Sequence, residues 1–307
     1  MRFAVIDVGT NTAQLLIADM GSDGCLVPIL DERRFVRLGE GVDATRRLRE
    51  VAYKRLRAVL QEYCALIQDR RVEHVTIAGT SASRDLRNRE DLVAWVRRET
   101  GFSYDILSGE DEATWSFRGA LTATDNLSGP CIAVDIGGGS TEFAMGDASG
   151  VISGRVSIDV GSLRITERFL GAQPPRPEQI AEAEGFLARM LESVEVDRRA
   201  PLLSACDTPV ILLLLHTSAA SWDALAPAMC RLSYGDVDRW CERLLAMAYE
   251  DVLALRPPLL AGRADVFPAA VLIFRAVLRE LACTDCLVSP HGLRHGLVLR
   301  AARALQI

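Results

Sequence analysis

Two segments of this 307-residue chain say nearly the same thing: VIDVGTNTAQLLIAD, from Val5 to Asp19, and AVDIGGGSTEFAMGD, from Ala133 to Asp147. Each is an apolar run, an aspartate, a glycine-rich turn carrying hydroxyls, and a second apolar run. The pattern predicts two β-hairpins, one at the head of each half of the chain. Such a turn has a specific use. Gly9 and Gly137 to Gly139 let backbone N–H groups approach a bound anion, Thr12 and Ser140 add hydroxyl donors, and Asp7 and Asp135 supply carboxylates for a metal. A phosphate chain held between two such turns is the ligand this predicts. A single D-x-G turn would carry little weight, because Gly and Asp are ordinary turn residues.

The composition, 49% hydrophobic and 25% charged, is that of an ordinary globular protein long enough for two domains. Met1 runs straight into a strand with no basic-then-apolar leader, and no apolar stretch reaches membrane-spanning length, so a cytoplasmic protein is expected. A formal charge of −6 argues against a nucleic-acid binder that works by bulk electrostatics. Lys54 is the only lysine and falls in a predicted helix, which leaves no P-loop or Schiff-base lysine. The eight cysteines are scattered through apparent core elements, as reduced thiols would be. Cys283 and Cys286, followed by His291 and His295, have too short a Cys-to-His gap for a zinc finger.

Along the chain, Leu48, Ala52, Leu56, Val59, Leu60, Tyr63 and Ile67 recur at helical spacing and predict one long helix to about Asp69. HVTIAGT reads as a strand, Asn88 to Thr100 as a helix, Tyr104 to Leu107 as a strand and Glu110 to Thr124 as a helix. DNLSGP, from Asp125 to Pro130, is the expected linker. The second half repeats the alternation, with hairpin strands from Cys131 to Gly146, a strand at Gly154 to Ile158, and a helix starting near Ser162. Helices follow at Glu178 to Glu195, Asp236 to Ala254, Pro268 to Leu281 and from Gly292, with strands at Val210 to Leu215 and Cys286 to Ser289. Alternation on both sides of one linker predicts two α/β lobes, 1–126 and 127–307, with a cleft between them. The last helix is allowed to pack back on the first lobe.

The motifs DVGTNT (7–12), RLGEGVD (37–43), GTSASRDLRN (79–88), SGEDEA (108–113), DIGGGSTE (135–142), GSLRITERF (161–169), GRADV (262–266) and GLRHG (292–296) occur in one order. On these residues the chain resembles the Ppx/GppA family of exopolyphosphatases and guanosine pentaphosphate phosphohydrolases, in its short two-domain branch. The resemblance implies two actin-like, ribonuclease H-like lobes with a central interdomain cleft. It implies Glu112 of SGEDEA as the catalytic carboxylate, and Asp7, Asp135 and Glu142 as carboxylates for Mg²⁺. It also implies phosphate binding by Gly9, Thr10, Asn11, Thr12, Arg84, Gly137, Gly138, Gly139, Ser140 and Thr141. Relatives are often dimers, which implies a possible homodimer.

The chemistry is consistent with these roles. Hydrolysing a terminal phosphoanhydride needs a positioned water, a carboxylate to take its proton, and positive charge or N–H dipoles on the phosphoryl oxygens. Each residue also has a plainer reading. Glu112, with Glu110 and Asp111, suits the first turn of a helix on dipole grounds alone. Arg33, Arg34 and Arg37 read equally as a solvated strand face, and Arg84 as a surface residue.

Relatives carry a glycine-rich turn after an apolar strand in the second lobe, where this chain is expected to read LLLLHTSAAS (212–221), without glycine. That departure argues against ATP. The expected activity is Mg²⁺-dependent hydrolysis of the end of inorganic polyphosphate, with removal of a phosphate from guanosine pentaphosphate, pppGpp, as the alternative. A non-catalytic sensor of polyphosphate or alarmone and an actin-like-fold kinase are the readings from other classes. Neither nucleic acid nor membrane is an expected partner.

Overall fold

Alternating side chains in the first strand explain much of the first unit. In the computed structural model, which describes residues 1–21, 24–124, 127, 129–198, 200–226 and 230–305, strand β1 (Arg2–Val8) sends Ala4, Ile6 and Val8 to one face and Phe3 and Val5 to the other. Strands β2 (Thr12–Met20) and β3 (Leu26–Phe35) follow, then the short helix α1 (Val42–Thr45) and the long helix α2 (Glu50–Asp69). Strand β4 (His74–Gly79), helices α3 (Ser81–Arg84) and α4 (Arg89–Thr100), strand β5 (Tyr104–Ile106) and helix α5 (Gly109–Leu121) complete the run. The sheet order is β3-β2-β1-β4-β5. The hairpins β1/β2 and β2/β3 are antiparallel, while β1/β4 and β4/β5 are parallel. The buried stripe of α2 is Ala52, Leu56, Val59, Leu60, Tyr63 and Ile67, as the 3.6-residue period predicts.

The second unit opens with β6 (Pro130–Ile136), β7 (Thr141–Asp147) and β8 (Ile152–Ile158). Helix α6 (Ser162–Ile165) runs into a π-turn over Thr166–Leu170, and α7 (Pro177–Glu192) follows. Next come β9 (Leu202–Ser204), α8 (Asp207–Thr217), a 3-10 turn at Trp222–Ala224, β10 (Arg231–Ser233), α9 (Tyr234–Leu245), α10 (Tyr249–Leu255), α11 (Pro257–Leu260), α12 (Phe267–Glu280) and β11 (Asp285–Val288), after which α13 (Leu293–Ala304) belongs to the first unit. The sheet order is β10-β11-β9-β6-β7-β8. Counted from its hairpin, this repeats the order third, second, first, fourth, fifth of the first unit and adds β10 at one edge. Its core joins Ile132, Val134 and Ile136 of β6 to Leu187 of α7, Leu212 of α8 and Phe274 of α12.

The compact units are residues 1–122 with 291–307, and residues 123–290. The last helix belongs with the first unit because Leu293, Leu297 and Val298 of α13 join Phe3, Val5 and Leu16 in one core cluster. Each such side chain, fully buried, contributes roughly 1.5–3 kcal/mol. The expected linker includes Asp125, Asn126 and Ser128, which lie outside the described residues.

One expectation is corrected. Val210–Leu215 is not a strand but the middle of helix α8. The strand expected there is the three-residue β9, and the turn after it is Ala205–Cys206, also without glycine. A short apolar run fits a fully buried helix as well as a strand, and α8 is apolar nearly all round. His216 and Thr217 accordingly end a helix. The Thr217 hydroxyl donates to Leu213 O at 2.8 Å, and His216 Nε2 lies 3.7 Å from Asp236 Oδ1.

Candidate active site

In the first unit the β1/β2 turn closes on itself, with Gly9 N–H donating to Thr12 O at 2.8 Å. The segment after β3 then fixes its carbonyls: Val36 and Arg37 N–H donate to Asn11 O at 3.1 and 2.9 Å, and Gly39 N–H to Thr10 O at 2.8 Å. A trans peptide points its N–H opposite its carbonyl, so the N–H groups of Asn11 and Thr12 point away from that segment. Neither Gly9 nor Gly137 to Gly139 has positive φ. Close approach, not left-handed backbone, is what these turns draw from glycine.

Across the sheet, Asp7 pairs with Gln14, and Gln14 with Arg33. Directly opposed residues of antiparallel strands share a face, so these three side chains form one ladder. Arg33 donates to Gln14 Oε1 from Nε at 3.2 Å and from Nη2 at 3.0 Å, and Gln14 Nε2 donates to Thr12 Oγ1 at 3.4 Å. Asp7 is 9% exposed.

Glu112 lies near the start of α5. The Oγ of Ser108 caps that helix, accepting from Asp111 N–H at 3.0 Å, and Glu112 N–H closes the first full turn on Ser108 O at 2.9 Å. Glu112 is 6% exposed, and Arg84 Nη1 donates to its side-chain Oε2. The same Arg84 nitrogen donates to Leu107 O at 3.2 Å. Arg84, expected on phosphate, is thus held against the carboxylate. Burial pushes the Glu112 carboxyl above its ordinary range, and the Arg84 charge works against that shift.

The second unit repeats the turn, with Gly137 N–H donating to Ser140 O at 2.9 Å. Here the ladder is Asp135, Glu142 and Ser157. Glu142 is 1% exposed and accepts from Ser157 Oγ at 2.7 Å. The Thr141 hydroxyl, expected on phosphate, donates to Val160 O at 2.6 Å. Arg164, 4% exposed, donates from Nε to Gly139 O at 2.8 Å. Sequence reasoning picks out the GSLRITERF motif but does not single out this arginine, nor Gln14 and Ser157, and it weighs Arg33 evenly between a functional role and a solvated strand face. Gln14 is derivable: once the turn is placed, the register of the tight hairpin pairs position 7 with 14.

Among the described residues no group of three or more His, Cys, Asp and Glu side chains stands together as a metal cage. No disulfide joins any of the eight cysteines, all of which are among the described residues. His291 and His295 stack with centroids 3.7 Å apart, and His291 Nδ1 is 2.8 Å from Thr122 Oγ1. No helix of the described residues is long and apolar enough to cross a membrane.

Two α/β units with the same hairpin-led strand order define an actin-like protein, and solved structures agree. A Ppx/GppA family member from Aquifex aeolicus superposes with a TM-score of 0.82 at 28% identity, covering 100% of this chain and 99% of that one. An exopolyphosphatase from Cytophaga hutchinsonii gives 0.85 at 27% identity, covering 99% and 98%. The Ppx/GppA phosphatase family matches residues 16–304. Exopolyphosphatase 2 of Mycobacterium tuberculosis is 35% identical over 317 aligned residues, covering 98% of each chain. The chain belongs to the Ppx/GppA phosphatase family and is a phosphoanhydride hydrolase.

Proposed function

We propose that this enzyme is an exopolyphosphatase, releasing orthophosphate from the end of inorganic polyphosphate with the help of Mg²⁺. The observation that carries the reading is Glu112, a buried carboxylate with a raised pKa, fixed by Arg84 at the head of α5. The names of its mycobacterial relatives support polyphosphate as the substrate.

In this reading Glu112 accepts a proton from the attacking water. The water oxygen bonds to the terminal phosphorus, the bridging P–O bond breaks, and the shortened chain leaves with that oxygen. A raised pKa suits the task, since a base works best when its pKa lies near the operating pH. Arg84 keeps the carboxylate in one orientation. Each turn offers phosphate oxygens a set of N–H dipoles of fixed direction.

The donor set of the second unit fits Mg²⁺, a hard cation that takes one or two carboxylates together with substrate phosphates. Asp135 and Glu142, opposed in register on one sheet face, would hold it. When bound, the ion would offset charge developing on the phosphoryl oxygens. Asp7 would serve the first turn.

The test is phosphate release from tripolyphosphate, long-chain polyphosphate and pppGpp by the wild type and by Glu112→Gln. Turnover should be greatest on polyphosphate and fall about 10²- to 10⁴-fold in the variant, with thermal stability preserved. Preference for pppGpp would replace the substrate assignment with the alternative. Full activity in Glu112→Gln would remove Glu112 as the base.

A further inference from the structure

The glycine turn of the second unit is shaped from behind. The segment after β8 takes up its three glycine carbonyls in succession: Ser162 N–H donates to Gly137 O at 2.9 Å, and Leu163 and Arg164 N–H to Gly138 O at 2.9 and 3.2 Å. The third, Gly139 O, accepts from the side chain of Arg164. Gly161 lies so close beneath the turn that a Cβ there would fall 2.3 Å from Gly139 N and 2.4 Å from Gly138 C. With these carbonyls drawn to one side, trans geometry aims the N–H groups of Gly138, Gly139 and Ser140 to the other. Such a row of like-directed N–H groups is an anion-binding concavity.

We propose that Arg164 is a positioning residue for phosphate binding: its buried guanidinium fixes the last peptide of the turn. Its burial supports this beyond the hydrogen bond: Arg164 is almost wholly buried, and desolvating a guanidinium is costly unless its bonds repay it. In the first unit the equivalent carbonyl, Asn11 O, is held by backbone N–H groups, so the dependence on a side chain belongs to the second unit.

The inference rests on the reading of the turn as a phosphate site, and its test separates the two. Tripolyphosphate binding by calorimetry, steady-state kinetics and thermal unfolding would be compared for the wild type, Arg164→Gln and Arg164→Lys. Arg164→Gln should weaken binding and raise KM about tenfold or more, with a smaller change in kcat; loss of a single oxyanion donor elsewhere costs as much as 10²- to 10³-fold. Arg164→Lys, which keeps a cation and a donor, should recover most of the affinity, and it remains informative where the glutamine variant does not fold. Wild-type affinity and KM in a folded Arg164→Gln, or affinity in Arg164→Lys no better than in Arg164→Gln, would overturn the proposal. If the wild type binds tripolyphosphate without releasing phosphate, the hydrolase reading fails while the comparison of variants still decides the role of Arg164. If the wild type binds none, both fail.

Discussion

The two hairpins share a turn and differ in the ladder behind it. Both turns close with a bond from the first glycine N–H to the carbonyl three residues on, and both are braced by the segment after the third strand. In the first unit the ladder is a carboxylate, an amide and a guanidinium: Asp7, Gln14 and Arg33. In the second it is two carboxylates and a hydroxyl: Asp135, Glu142 and Ser157. The first is close to neutral as a set, and the second carries two negative charges when ionised. A duplicated backbone can therefore be given opposite ionic preferences through two cross-strand positions. In the proposed reading, a neutral ladder would let its turn meet phosphate directly, whereas an anionic one would call for a cation between carboxylate and phosphate.

The largest test of that contrast is Glu142→Gln, which gives the second ladder the amide of the first. The half-saturating Mg²⁺ concentration should rise roughly tenfold or more, judged from the losses that follow when even outer-shell metal partners are removed. A Mg²⁺ titration of phosphate release checks this, and an unchanged midpoint would dissolve the distinction between the ladders. The reverse exchange, Gln14→Glu, sets a second carboxylate beside Asp7 and Arg33 in the first ladder. Its effect should be smaller, a several-fold rise in KM for polyphosphate that shrinks with added salt, because Gln14 and Arg33 are only half-buried and screening applies. A KM insensitive to this change would mean that the first ladder does not meet the substrate.

Much of the fold is legible in the order of the amino acids. The hairpins, the long helix and its buried stripe follow from apolar periodicity, which is strong when an element is long and half-buried. Val210–Leu215 defeats the same reasoning because a segment buried on every side has no polar face to set its period. The strands Leu202–Ser204 and Arg231–Ser233, three residues each, are too short for a period to be told from chance. Among the candidate site residues, the turn glycines, Asp7 and Asp135 can be singled out because their residue types are chemically telling, whereas Glu112 and Glu142 follow from the family resemblance. Arg164 cannot, since an arginine in GSLRITERF looks like any other basic helix residue until Gly139 O is found beneath it. The partnership of Arg84 with Glu112 is likewise invisible at a separation of 28 residues.

The smallest expected contrast between the units is their response to mild acid. The first unit contains His291 and His295, stacked on each other, with Arg294 and Asp31 as the charged groups around them and the Thr122 hydroxyl on His291 Nδ1. Burial, with Arg294 adding to it, lowers the His291 pKa from 6.5 to about 4, and burial with its neighbours lowers that of His295 as well. A histidine that titrates lower when folded binds its proton first in the unfolded chain. The unfolded state therefore holds more protons between pH 6.5 and about 4, and stability falls as pH drops through that window. In the second unit burial shifts the thiols upward, Cys241 to about 12 for example, so these groups are neutral in both states at such pH and contribute no slope. Hydrogen exchange at pH 7 and pH 5 should show α13 and the end of α5 loosening in acid while the sheet of the second unit does not. His291→Gln should flatten the acid limb of thermal stability by removing one of the two protons at issue. An equal loss of protection in both units would show that acid acts on the whole chain rather than through this histidine pair.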